Sequence, residues 1–173
     1  PKDVKAIIKT AADAGYELNV VKAVEKANEF QKNVILGKIR KHFGNNLKNK
    51  TIAVWGLSFK PKTDDIRESS AIYLIGKLLN EGVKVKVYDP AAMEETKKQL
   101  GESVFYGTDQ YDALNGANAL VLITEWAEFH LPDFAKMGSV MKEKVIFDGR
   151  NIYDPAEIKK AGFEYYGIGR GRV

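Results

Sequence analysis

The sequence predicts an α/β fold: a doubly wound, Rossmann-like parallel sheet of about six strands, preceded by a helical segment. Three observations predict it. From residue 51 onward, short β-branched runs alternate with stretches of helical periodicity. Two of those runs, Thr51-Ile52-Ala53-Val54-Trp55 and Ala119-Leu120-Val121-Leu122-Ile123, are apolar almost throughout, as strands buried on both faces require. Residues 1–42 instead carry apolar positions at helical spacing.

Composition narrows the class. With 173 residues there is enough chain for one full domain and an appendage. Hydrophobic content of 45% and charged content of 29% are those of a soluble globular protein. No run is apolar enough to span a membrane and no targeting signal is visible, so a cytoplasmic protein is expected. There is no cysteine, which excludes disulfides, thiolate metal sites and cysteine nucleophiles within this chain. The net charge is +4, and residues 1–50 hold 11 Lys/Arg against 5 Asp/Glu. That excess is mild and lacks interleaved aromatics, which argues against nucleic-acid binding. His42 and His130 have no ligand-like spacing and suit surface or helix-end positions; no metal site is expected.

The elements follow in order. Pro1 to Gly15 reads as a helix, with Pro1 in the first turn, Asp3 at the positive end of the dipole and Gly15 as C-terminal cap. Val4, Ile7, Ile8 and Ala11 form its apolar face. Asn19 is the candidate N-cap of one long helix to about His42, with Val20, Val21, Val24, Ala27, Val34, Ile35 and Ile39 on its apolar side. Asn28 and Gln31 lie at the edge of that stripe, or in a helix–helix seam where they would fix register. Its apolar face needs a partner, either a second subunit or further chain. The polar run Gly44 to Lys50 marks a boundary between a helical segment, 1–44, and an α/β domain, 45–173.

Beyond the first strand, Ser69 or Ser70 caps a helix with Ile72, Ile75, Leu78 and Leu79 on its apolar face. Strands are expected at Val83–Tyr88, Val104–Tyr106, Ala119–Ile123, Val145–Phe147 and Phe163–Tyr166. Helices are expected at Ala91–Leu100, from Thr108 or Asp109 to Leu114, at Leu131–Met141, and at Pro155–Ala161 behind the cap Asp154. The tail from Gly167 reads as loose.

Right-handed crossovers bring every strand's carboxyl end to one rim, where open α/β sheets bind ligands. That rim collects the loop Gly56–Arg67, Asp89, Thr124-Glu125 and Asp148-Gly149-Arg150. Lys60 and Arg150 can face one crevice there, and two cations beside a helix N-terminus suit a diphosphate. The alternative is a solvated loop with internal salt bridges. A dinucleotide fingerprint is absent: after the first strand stands Gly56-Leu57-Ser58-Phe59-Lys60-Pro61, with a single glycine and a proline that removes a donor. Asp89 imitates a ribose-binding acid, but a turn role before Pro90 is the better reading. Asp64 and Asp65 suit a turn or salt bridges with Lys62 and Arg67 better than metal or acid–base chemistry.

The segment Gly56-Leu57-Ser58-Phe59-Lys60-Pro61-Lys62-Thr63-Asp64-Asp65-Ile66-Arg67-Glu68-Ser69 resembles a long motif of the nucleotide-sugar dehydrogenases, the UDP-glucose/GDP-mannose dehydrogenase family. Tyr88-Asp89-Pro90, Thr124-Glu125-Trp126, Asp148-Gly149-Arg150-Asn151, Gly167-Ile168-Gly169-Arg170 and the opening Pro1-Lys2-Asp3-Val4-Lys5-Ala6 match as well. The resemblance implies the substrate-binding C-terminal domain plus part of the central dimerisation helices of a longer enzyme. The family's NAD-binding domain and catalytic cysteine would lie outside this chain, which alone is expected to be inactive. The implied reaction takes UDP-glucose to UDP-glucuronate in two oxidations through a cysteine thioester, reducing two NAD. GDP-mannose or a UDP-N-acetylhexosamine is the alternative substrate, and a non-catalytic nucleotide-binding or dimerisation module the alternative of a different class. Carried over by position, Asp3 is similar to the family's catalytic aspartate. Phe59, Lys60 and Arg150 resemble its UDP-sugar contacts. Lys2 and Arg67 resemble residues that reach NAD. Structural roles stand beside these: helix stabilisation for Asp3, core packing for Phe59, an ion pair with Asp64 or Glu68 for Arg67. The resemblance also implies a homodimer through the N-terminal helices.

Overall fold

A computed structural model describes residues 2–44 and 46–170. Pro1, the side chain of Lys2, Asn45 and residues 171–173 lie outside them, so the expectations placed on Pro1, on the Lys2 side chain and on Asn45 of the boundary run fall outside the described residues. The chain runs α1 (Lys2–Asp13), α2 (Asn19–Lys32), α3 (Val34–Phe43), β1 (Thr51–Trp55), α4 (Ser70–Asn80), β2 (Lys84–Tyr88) and α5 (Met93–Leu100). It continues with β3 (Phe105–Tyr106), α6 (Gln110–Leu114), β4 (Ala119–Leu122), α7 (Phe134–Val140), β5 (Val145–Asp148), α8 (Pro155–Lys160) and β6 (Glu164–Gly167).

The six strands form one sheet in the order β3-β2-β1-β4-β5-β6, and every neighbouring pair is parallel. The order in which strands are added reverses between β1 and β4, which makes their carboxyl ends the topological switch point. Strand alternation divides the core in two. Ile52 and Val54 join α3 and α4 on one face through Ile35, Ile39, Leu74, Ile75 and Leu78. Ala53 and Trp55 join α6, α7 and α8 on the other through Leu114, Met137 and Ile158. Trp55 is fully buried, stacks on Phe129 at 5.0 Å between ring centroids and donates its indole N–H to the Gln110 carbonyl at 2.9 Å.

The caps at Ser69, Asp109 and Asp154 take the expected form: Ser69 accepts from Ala71 N–H, Asp109 from Tyr111 and Asp112, Asp154 from Ala156 and Glu157. Several expectations are corrected. The helix expected from Asn19 to His42 is two helices, broken at Asn33. The Asn33 side-chain amide donates to the Glu29 carbonyl at 2.9 Å, while its backbone N–H turns to Phe30 at 3.0 Å, a side-chain competition that ends the ladder. Asn19 is not the cap; Leu18 holds that position with no side-chain hydrogen bond. The helix expected from Leu131 starts at Phe134, capped by Asp133, and Leu131 itself is exposed. The helix expected from Ala91 starts at Met93. The tail is held as far as Arg170: Asn151 brackets Ile168 by accepting its N–H at 2.8 Å and donating to its carbonyl at 3.0 Å, and Lys38 reaches the Arg170 carbonyl at 2.9 Å. Among the described residues no helix is long and apolar enough to cross a membrane.

Candidate nucleotide cleft

Beyond the carboxyl ends of the strands lies a cleft of about 370 Å³. Most of its walls come from three places, and Ile168 beyond β6 adds a fourth. α2 and the start of α3 supply Asn28, Gln31, Lys32 and Ile35; the β1–α4 loop and α4 supply Phe59, Glu68, Ser70 and Leu74; the β4 and β5 exits supply Ile123, Gly149 and Arg150. The N-terminus of α4 adds the positive end of an eleven-residue helix dipole.

The β1 exit is built by close approach. Gly56 has φ +84°, and a Cβ there would lie 2.5 Å from the Thr124 backbone nitrogen. Asp89, buried at the end of β2, ties this exit down. One carboxylate oxygen accepts from Leu57 N–H at 2.7 Å, Ser58 N–H at 3.0 Å, the Ser58 hydroxyl at 3.1 Å and the Trp126 indole at 3.1 Å. The other accepts from Ala91 and Ala92. Asp89 is therefore a turn-building residue with both oxygens engaged by the protein. Beside it, burial first and then Glu128 push the Tyr88 phenol up to about 12.

On the β5 side, Asp148 is fully buried and accepts from Arg150 N–H at 2.8 Å, Tyr153 N–H at 3.2 Å and the Tyr165 hydroxyl at 2.9 Å. Burial, then the Asp148 charge, raises the Tyr165 phenol. Arg150 sends its Nε–H to the Ile123 carbonyl at 2.6 Å, with a Glu125 carboxylate oxygen 2.9 Å from the same nitrogen. This loop thus carries an ordered cation into the cleft.

Glu68 links the cleft to the N-terminal helices. It takes the left-handed conformation, φ +59°, and pairs with Lys5 of α1 at 3.0 Å and Lys32 of α2 at 3.6 Å. The Lys5 hydrogen bond holds the Glu68 carboxyl below its ordinary range, and Glu68 raises the Lys5 ammonium in return.

Of the expected site residues, Phe59 and Arg150 share the cleft. Lys60 is exposed and outside its lining, so the expected pair of cations facing one crevice is reduced to Arg150. Asp3 stands in the exposed first turn of α1, outside the lining too. Arg67 pairs with neither Asp64 nor Glu68 but with Asp65, through Nε at 2.9 Å and a terminal nitrogen at 2.7 Å, which raises its already high pKa. Lys32, Glu68 and Ser70 were missed as lining residues. Asn28 and Gln31 stood out in the sequence as polar residues beside an apolar stripe, and that was the one available signal for the α2 wall. No group of three or more His, Cys, Asp or Glu that could hold a metal exists among the described residues.

Comparison with known proteins bears on the family and the fold. Residues 53–155 match the model of the UDP-glucose/GDP-mannose dehydrogenase family, UDP binding domain. The chain is 41% identical over 178 residues to UDP-glucose 6-dehydrogenase of Pseudomonas aeruginosa, covering 100% of this chain and 39% of that protein. A solved UDP-glucose dehydrogenase from Pyrobaculum islandicum superposes with TM-score 0.84 at 32% identity, covering 99% of this chain and 37% of that one. A UDP-D-ManNAc dehydrogenase from Pyrococcus horikoshii follows with TM-score 0.74 at 26% identity, covering 93% and 36%. The chain thus spans about two fifths of the length of its curated relative.

Proposed function

Because the chain belongs to the UDP-glucose/GDP-mannose dehydrogenase family, we propose that it is the nucleotide-sugar-binding part of an NAD-dependent UDP-glucose 6-dehydrogenase. The observation that carries this reading is the cleft at the switch point, where Arg150 and the α4 N-terminus meet Phe59. A cation with forked donors and a helix dipole suit a diphosphate, and an exposed aromatic ring suits a base. Lys60, next to Phe59, is the second cation of this proposal, drawn in when a diphosphate is bound.

In this reading the longer protein takes UDP-glucose to UDP-glucuronate, and NAD supplies the hydride acceptor. The switch point of this sheet does not fit a dinucleotide: Gly56 stands alone, Pro61 lacks a donor and Asp89 has no oxygen left for a ribose. NAD would accordingly be held mainly by chain outside these residues, with Lys2 and Arg67 as the contacts that the resemblance assigns to this chain. The chain has no cysteine, so the thiolate of a covalent oxidation must come from outside it, and the chain alone is expected to be inactive. Asp3 would serve the reacting end. The division into a helical segment, 1–44, and a nucleotide-binding domain, 45–173, belongs to the same proposal, as do a cytoplasmic location and a homodimer through the N-terminal helices. Exposed Ile7, Val20, Val24 and Phe30 support that dimer.

Calorimetric titration with UDP, GDP and NAD tests the reading. UDP should bind selectively, Arg150→Ala should abolish binding, and Lys60→Ala should weaken it by about 1.5–3 kcal/mol. Preference for GDP would move the substrate to GDP-mannose. A UDP-N-acetylhexosamine is the second reading, favoured by the likeness to the Pyrococcus enzyme; sugar selectivity in a longer protein decides it.

A further inference from the structure

We infer that Glu125 is a positioning residue for Arg150, setting the face that the guanidinium turns to an anionic ligand. The inference rests on the proposed nucleotide reading of the cleft. Arg150 lines the cleft and Glu125 does not. The two meet at the Nε edge of the guanidinium, where the Ile123 carbonyl takes the Nε–H at 2.6 Å and a Glu125 oxygen lies 2.9 Å away. That Glu125 oxygen is buried and accepts no aligned hydrogen bond among the described residues, so the guanidinium is its counter-charge.

The consequence is directional. A guanidinium has five N–H donors in a rigid plane. With the Nε edge held by the protein, the two terminal nitrogens remain, and neither has a hydrogen-bond partner among the described residues. They form the fork that binds two oxygens of a phosphate at once. Asp148 fixes the backbone of Arg150, and Glu125 stands with the Ile123 carbonyl at the Nε edge of its guanidinium. A carboxylate behind an arginine also repels an incoming phosphate, so its presence is useful only if orientation outweighs that repulsion.

The test is UDP titration of this chain in a double-mutant cycle, with a thermal melt of each variant to confirm folding. Glu125→Ala should weaken UDP binding about tenfold, and Glu125→Gln, which keeps an oxygen beside Nε, by less than about threefold. In an Arg150→Lys background, where no Nε–H fork exists, Glu125→Ala should change affinity less than about twofold. A general structural role would leave the Glu125→Ala loss intact in that background and overturns the inference. Unchanged or tighter binding by Glu125→Ala in the otherwise unaltered chain overturns it too, and leaves the nucleotide reading standing. If UDP does not bind, or binds regardless of Arg150, both readings fall together.

Discussion

Helices α2 and α4 read alike in sequence and end in opposite situations. Both repeat apolar residues at helical spacing. α4 buries Ala71, Leu74, Ile75 and Leu78 against the sheet. α2 has no fully buried residue, and Val20 is 78% and Phe30 74% exposed. Periodicity therefore reports that a helix has an apolar face, and the topology decides whether the chain itself can cover it. The α4 stripe is sealed by β1 and β2 of the same sheet. The α2 stripe needs a cover that these residues do not contain.

The contrast can be broken by mutation. Leu78→Ala should have the largest effect, about 2–5 kcal/mol in urea unfolding, because it empties a sealed site; a cost near zero would remove the distinction between the two helices. Asp89→Asn belongs to the sealed region as well. Whichever way the new amide turns, its NH2 meets N–H groups, of Leu57 and Ser58 or of Ala91 and Ala92, and the change should cost about 1.5–3 kcal/mol by the same measurement. On α2, Val24→Ala should cost less than about 0.5 kcal/mol in dilute protein. A cost that grows with protein concentration would sharpen the comparison, since it would identify a second copy as the cover.

The smallest effect concerns the tether between the two regions. Lys5 holds the Glu68 carboxyl below its ordinary 4.5. A depressed carboxyl contributes stability that is complete above its unfolded value and is lost as pH falls through its folded one. The melting-temperature gap between the unaltered chain and Glu68→Gln should be open at neutral pH and close below about pH 4.5. A gap that persists into acid would overturn the assignment of the effect to the Glu68 charge.

The sheet was legible because its signals are local. Apolar runs such as Ala119–Leu122, and cap residues such as Ser69 and Asp154, carry their structural meaning within a few neighbours. The break at Asn33 was not legible: asparagine is tolerated in helices, and only the Glu29 carbonyl it captures, with the Tyr73 hydroxyl donating to its side-chain oxygen at 3.0 Å, reveals the role. The site divides the same way. Phe59 and Arg150 were found from the resemblance and from the geometry of the strand ends. Lys32 and Glu68 were missed because the contacts that join them at the cleft, Lys32–Glu68 and Lys5–Glu68, link distant parts of the sequence, the latter 63 residues apart. An Asp65–Arg67 pair was among the salt bridges the paired aspartates suit, but which of the two aspartates makes it was not legible, because Asp64 and Asp65 are equivalent on paper.

Gly56 has a consequence for how far the cleft can be adjusted. The β1 and β4 exits touch there through main-chain atoms, and Thr124 adds a 2.5 Å hydrogen bond to the Ser58 carbonyl. The loop bearing Phe59 and the segment leading to Glu125 are thus gauged against each other like machined parts with no shim between them. Side chains around the opening can be exchanged to retune what it accepts, but its gape on this side is set by backbone contact and will resist redesign.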